Sequence, residues 1–503
     1  MKLGVASFIA AGFTAALLHP ALSAAQSARY KLIDIGTLGG PASYFTDPGI
    51  GGVSKTLNNR GMLAGKANTS TPDPNCGLPN CFAAHVFRWD KGVLTDLGTL
   101  PGGTNSDIGG INARGWVVGG SETADIDPFT NTPAFHATLW KANQPVDLGT
   151  LGGYNSNAFH VGDGGQIVGI STTGTPDPLS FLGESIHPVI WQNGVIQDLG
   201  TLQQGTVAIP SNQCGNGRDG LVVGFSFIDS VVNPGTGAPT AHDFFWHDGI
   251  MEDIPTLGGT LVGDEIDFAG YPTACVNNRG QVAGESTVSD DPFILHPYLY
   301  DHGVLTDLGT LGGSFGLVGW LNDAGDIVGG ASTANDESFH ATLWTKGVIH
   351  DLGALDGDCG GRASAINARG QIVGSSYSCD DTGRAVLWDK GSIIDLNAAV
   401  AGATSLQLIE ADNINDRGEI AGRGLPSGCD DLLACGHAYL LIPCDNIATC
   451  ETETGATANL RNVAVTRKSN NPNPRTPMER LAAWRSQFSQ RYQIPGLPTK
   501  KLR

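Results

Sequence analysis

The sequence predicts an all-β protein: a β-propeller of eight four-stranded blades, closed by strands from the N- and C-terminal ends, with a short C-terminal helix. Three observations lead there. The stretch Asp-Leu-Gly-Thr-Leu-Gly-Gly stands at 147–153 and again at 307–313, with close variants beginning at Asp34, Asp96, Asp198, Asp253, Asp351 and Asp395. Successive markers lie 62, 51, 51, 55, 54, 44 and 44 residues apart, a period that belongs to solenoids, propellers and arrays. Glycine accounts for 71 of 503 residues while charged side chains make up only 16%, which is the composition of turn-rich sheet and not of helix.

Each of the eight units holds two hairpins. The first is announced by a Gly-x-apolar-small-Gly run opening at Gly61, Gly115, Gly165, Gly220, Gly280, Gly325, Gly370 and Gly418. Three positions earlier stands Asn58, Asn112, Asn277, Asn322, Asn367 or Asn415, in six units of the eight. An Asn at the first corner of a tight turn bonds the backbone within it, and Gly at the fourth accepts positive φ. The second hairpin opens with a polar residue, three mostly apolar ones and an aromatic, as in His136-Ala-Thr-Leu-Trp140. A short polar turn with Gly follows, then an apolar run into the next Asp-Leu-Gly. Four short antiparallel strands per unit make a propeller blade.

The chain ends decide the count. The last unit stops after three strands, at His437–Pro443, and an orphan strand, Tyr30–Ile35, precedes the first unit. Pairing the two closes a ring of eight; seven blades with one stray unit is the alternative.

The histidine at the head of the third strand returns as His85, His136, His187, His242, His296 and His340. Chemistry rarely needs so many copies, so these are read as structural partners of the aspartates that end the fourth strand, among them Asp96, Asp147, Asp198, Asp307 and Asp351. Arg384 keeps a donor where His is missing. The tryptophans at the end of the third strand are read as packing between blades.

Flanking segments complete the organisation. Residues 1–25 have the layout of a signal peptide, Lys2 before an apolar run of about 15 residues and then small residues. An uncleaved anchor is the alternative, although the run is short for a span. No transmembrane span is expected in the mature chain. Ten cysteines fit an oxidising compartment. Local disulfides are expected for Cys76/Cys81, Cys429/Cys435 and Cys444/Cys450. Cys214–Cys275 suits a link between successive units, and Cys359–Cys379 one inside the seventh. Residues 30–443 form the repeat body, 444–475 a polar disulfide-bearing linker, and 476–503 a basic amphipathic helical tail. Residues 26–443 carry 18 basic and 45 acidic side chains, and so acidic a body repels phosphate backbones, which excludes nucleic acid.

The combination of DLGTLGG, INxxGxxVG and HAxLWxxG resembles the bacterial extracellular HAF-repeat family over about residues 30–442. That resemblance implies export and a repeat fold. It brings no settled activity, and no catalytic residues are carried over from it.

Function is expected where loops vary. Both short turns of each unit share one face, leaving the Asp-Leu-Gly connections and long Thr/Asp/Pro-rich loops on the other. The expectation is an exported binding scaffold, extracellular, cell-surface or periplasmic. It would hold a polysaccharide, an envelope component or a protein on the long-loop face, with Ca²⁺ as the one conceivable cofactor. The alternative is a polysaccharide-active enzyme, for which residues must break the repeat and converge. Asp264, Glu265 and Asp267 are the candidates, as paired carboxylates for glycoside hydrolysis, together with His160 near Asp163.

Overall fold

The computed structural model describes residues 30–444 except 46–54, 75–80, 212–217, 233–238, 261, 263–273, 290, 292–293, 381 and 403. The signal segment, nearly all of the linker and the helical tail lie outside the described residues, as do Asp264, Glu265 and Asp267.

The second unit shows how each repeat folds. Its strands Ser106–Ile111, Val117–Asp127, Thr132–Lys141 and Gln144–Asp147 pair antiparallel in chain order. The first turn forms because Asn112 Oδ1 accepts the backbone N–H groups of Arg114 and Trp116, both at 3.0 Å. Gly115 then takes φ +77°, a conformation costly for a side chain with Cβ. The closing Gly of the motif has a different reason. The first strand shifts register between Ile108 and Gly110, and this bulge turns the Asp107 carbonyl onto Gly119, where a Cβ would lie 1.8 Å from its oxygen. The same approach recurs at Gly169, Gly329, Gly374 and Gly422, at 1.9–2.0 Å.

Seven sheets result among the described residues. Six have four strands; the eight-stranded seventh contains the fifth and sixth units, joined by a single parallel pair, Leu295 with Phe315. Tyr30–Asp34 pairs antiparallel with His437–Pro443, Leu32 opposite Leu441. The core lies between neighbouring sheets. Val118 and Ala137 of the second unit, for example, pack with Ala158, Val161, Ile167, Val189 and Trp191 of the third. The tryptophans at the third-strand ends are buried, Trp140 to 1% exposure. Among the described residues helix is confined to short turns at Leu396–Ala399 and Leu432–Cys435 with a 3-10 turn at Ala334–Asp336. No helix of the described residues is long and apolar enough to cross a membrane.

Cys359–Cys379 and Cys429–Cys435 are bonded, with Cα atoms 5.0 and 5.8 Å apart. Cys81, Cys275 and Cys444 are disulfide-bonded as well; their expected partners Cys76, Cys214 and Cys450 lie outside the described residues.

The repeated histidines face the repeated aspartates across the third and fourth strands. His136 Nδ1 lies 2.8 Å from Asp147, and the others fall between 2.7 and 3.0 Å: His85–Asp96, His187–Asp198, His242–Asp253, His296–Asp307, His340–Asp351 and His437–Asp34. Each aspartate also starts the next turn, Asp147 Oδ1 accepting the Gly149 N–H at 2.8 Å. Arg384 behaves differently. Its longer fork reaches past Asp395, 3.9 Å away, to grip Asp358 with two nitrogens. At Asp96, Asp147 and Asp198 burial pushes the carboxyl pKa up, but the histidine bond and the glycine N–H outweigh it and leave the pKa lowered. The folded pKa thus lies below the unfolded one. The stabilisation is complete above about pH 4 and is lost as pH falls through the folded value. Asp147→Ala should cost about 1–2 kcal/mol at pH 7 and His136→Ala about 1 kcal/mol, the Asp147→Ala deficit shrinking toward pH 2. Melting temperatures at both pH values check this; two unchanged values at pH 7 would sink it.

Candidate functional site

The Asn turns do more than reverse the chain. While Oδ1 closes the turn, Nδ2 donates to the turn of the neighbouring unit: Asn58 to the Asn112 carbonyl at 2.9 Å, Asn112 to Gly162 at 3.0 Å, Asn277 to Asn322 at 3.1 Å, and Asn367 to Asn415 at 3.1 Å. Asn415 donates to the Asn58 carbonyl at 3.0 Å, across 357 residues of sequence. The next residue in several turns adds a carboxylate strut. Asp163 Oδ1 accepts Ala113 N–H at 2.8 Å, Asp323 accepts both N–H and Nδ2 of Asn278, and Asp416 accepts Ala368 N–H and Asn59 Nδ2. Asp219 presses against the third unit's turn. A Cβ at Gly162 or Gly164 would lie 1.8 Å from its carboxylate oxygens, so a side chain there would have to displace Asp219.

These turns surround a cavity of about 480 Å³ lined by Asp163, Asp219, Asp323 and Asp416, with Lys55, His160 and Arg218. Lys55 is half-buried; burial lowers its ammonium pKa, against the pull of Asp163, Asp416 and Asp323. His160, on the strand Ser156–Val161, has its pKa pushed down to about 4, first by burial and then by the charge of Lys55, with Asp163 opposing. It is a neutral imidazole at pH 7. Four carboxylates against two cations leave the cavity net negative. Each carboxylate has more acceptor sites than the struts consume, so oxygen lone pairs remain for a cation.

Of the residues the sequence singles out for chemistry, the structure brings His160, with its neighbour Asp163, into this cavity. Lys55, Asp219, Asp323 and Asp416 were not foreseen, because the short-turn face reads as trimmed and without room. For Asp323 and Asp416 the available signal was the Asp one place after the turn's first corner; Asp219, two places after it, and Lys55 carried none. On the long-loop face, Asp127 is filled by its own loop: it accepts from Phe129 N–H, Thr130 Oγ1 and Asn155 Nδ2 at 2.8–3.0 Å. Among the described residues no group of three or more His, Cys, Asp or Glu is arranged to hold a metal ion.

No family model matches the chain, and no curated protein matches it. Solved structures do. The β-propeller domain of the Trilobed protease from Pyrococcus furiosus has 10% identity and a TM-score of 0.38, covering 71% of this chain and 98% of its own. Porphyromonas gingivalis dipeptidyl peptidase 4 has 10% identity and a TM-score of 0.45, covering 74% of this chain. Pyrococcus horikoshii acylaminoacyl peptidase has 10% identity and a TM-score of 0.39, covering 76%. This chain spans 57% and 58% of those two peptidases. The likeness concerns fold: an all-β chain similar to propellers. It also corrects the expected function. The sequence reading gave a free-standing binding scaffold, with a polysaccharide-active enzyme beside it, whereas the matched structures are a protease's propeller domain and two peptidases.

Proposed function

We propose a peptide-directed role in which the acidic cavity takes the ammonium group at the free amino terminus of a short peptide. One observation carries this: Asp163, Asp219, Asp323 and Asp416 line a single cavity of about 480 Å³ in which, among the described residues, only Lys55 and Arg218 offset them. Its size falls within the roughly 300–1,000 Å³ of small-ligand sites. An ammonium brings three N–H donors to carboxylate oxygens with spare lone pairs, and the side-chain amides of Asn59 and Asn278 at the rim suit a peptide backbone.

The test is calorimetric titration of the purified full chain with trialanine and with N-acetyl-trialanine. Trialanine is expected to bind, and acetylation or Asp323→Asn to weaken it about tenfold or more, equivalent to about 1.4 kcal/mol. Equal affinity for both peptides would overturn the reading.

The same reading takes the eight units as blades of one closed ring, with the cavity on its axis. Its supports are the Asn415–Asn58 bond, the His437–Asp34 pair and the pairing of Tyr30–Asp34 with His437–Pro443, each joining the two ends of the repeat region. Export of a bacterial HAF-type repeat protein belongs to this reading too, supported by the bonded cysteines.

A further inference from the structure

The aromatic rings that stand well out into solvent among the described residues lie together, on the long loops of the second and third units. Phe129 is 48% exposed, Tyr154 41% and Phe181 52%; Ile126, three residues before Phe129, is 54% exposed. Phe129 and Tyr154 meet edge to face, with ring centroids 6.3 Å apart. Phe129 also lies over Gly183, where a Cβ would fall 2.7 Å from its Cβ and Cγ, and Phe181 borders that contact. Contiguous exposed apolar surface marks an interaction site, whereas single exposed side chains such as Val93 and Val304 are ordinary.

The charge around this patch has one sign. The surrounding segments, 95–106, 121–136, 147–156, 171–187 and 198–207, hold eight Asp or Glu and not one Lys or Arg. Asp127 and Glu184 are bound within the loops. Asp125 is exposed, and Asp147 and Asp198 keep 45% and 43% of their side chains in solvent. An occupant that fits is apolar along its middle and cationic along its edges.

The chain carries such a segment. Residues 444–503 hold ten Lys or Arg against four Asp or Glu. In the helix that the sequence predicts there, Leu481, Trp484, Phe488 and Tyr492 form one apolar stripe. At 3.6 residues per turn, Arg480 and Arg491 fall along one edge of the stripe and Arg485 along the other. Reach is sufficient. The last described strand, His437–Pro443, is followed by the 444–475 linker, which can extend to about 100 Å. A strand of 12 residues such as Leu221–Val232 measures about 40 Å.

We propose that residues 476–492 dock on this patch of their own chain, the apolar stripe over Phe129, Tyr154 and Phe181 and the arginines toward Asp125, Asp147 and Asp198. The docking does not depend on the peptide reading of the acidic cavity, which lies among the Asn turns at the other end of the sheets.

Hydrogen exchange on the purified full chain tests this. A helix of that length is marginal on its own in water, so its amides are protected only while it is docked. They should exchange about tenfold or more slower than in the synthetic peptide 476–492. Phe129→Ser/Phe181→Ser and Arg480→Glu/Arg485→Glu/Arg491→Glu should each return them to the peptide's rate. Both phenylalanines are exposed, and a cooperative thermal melt establishes that each variant folds. Wild-type amides already at the peptide's rate would overturn the proposal. So would protection that survives either variant, or protection that rises with protein concentration, which assigns the patch to a second copy's tail.

Discussion

Gly119→Ala should lower the unfolding free energy by about 3 kcal/mol or more, because the added methyl meets backbone and not a movable side chain. A Cβ there would lie 1.8 Å from the Asp107 carbonyl oxygen, 2.9 Å from its carbon and 3.0 Å from Gly109 N. The bulge between Ile108 and Gly110 sets that carbonyl, so relief means unpairing the unit's first strand from its second. The right control is Gly92→Ala. Gly92 has φ +87° with nothing within 4 Å, so its substitution is charged only the positive-φ cost, about 1 kcal/mol. Urea midpoints of the two variants decide the matter. If Gly119→Ala is as mild as Gly92→Ala, the close approach does not constrain the fold.

Asn415→Asp should be comparably damaging, about 3 kcal/mol at pH 7. Asn415 is 4% exposed. Its Oδ1 accepts the N–H groups of Arg417 and Glu419, and its Nδ2 donates to the Asn58 carbonyl and to Glu419 Oε2 at 2.6 Å. Aspartate keeps the acceptor but sets a second carboxylate oxygen against a carbonyl and the buried Glu419, with no proton between them. Asn58→Asp loses the bond to Asn112 and makes no such carboxylate contact, so its cost should be smaller. The new carboxyl in Asn415→Asp would have a raised folded pKa. Its penalty therefore applies above that pKa and eases as pH falls through it. Thermal melts at pH 7 and pH 4.5 test both points; equal losses for the two variants, unaffected by pH, would refute the account.

Sequence reading reached the strand order within each unit, the turn role of Asn112 and Gly115, and the facing of His136 toward Asp147, because each depends on local geometry repeated in six or more of the eight units. It read only one half of each Asn amide. The Oδ1 half acts within five residues and leaves a turn signature. The Nδ2 half acts on another unit, 45–54 residues away or 357 in the case of Asn415, and leaves none. The same limit hid the cavity: Asp219, Asp323 and Asp416 look like ordinary turn residues until the turns are brought together. Arg384 shows a partial reading: the expected donor does reach Asp395, at 3.9 Å, but its longer fork makes its closer bonds to Asp358.

The strand pairing between Tyr30–Asp34 and His437–Pro443 sets an order of events for a chain made from its N-terminus. Units can fold one after another as they emerge, but the first strand waits unpaired until almost the whole repeat region exists. The wait is a matter of timing more than of free energy. Joining His437 to Asp34 spans 403 residues, only about three doublings beyond a single unit, at about 0.6 kcal/mol per doubling. Until then the last sheet has an open edge, the feature most prone to pair with another chain. A chain truncated before residue 437 should therefore associate with other copies more readily than the full-length chain does.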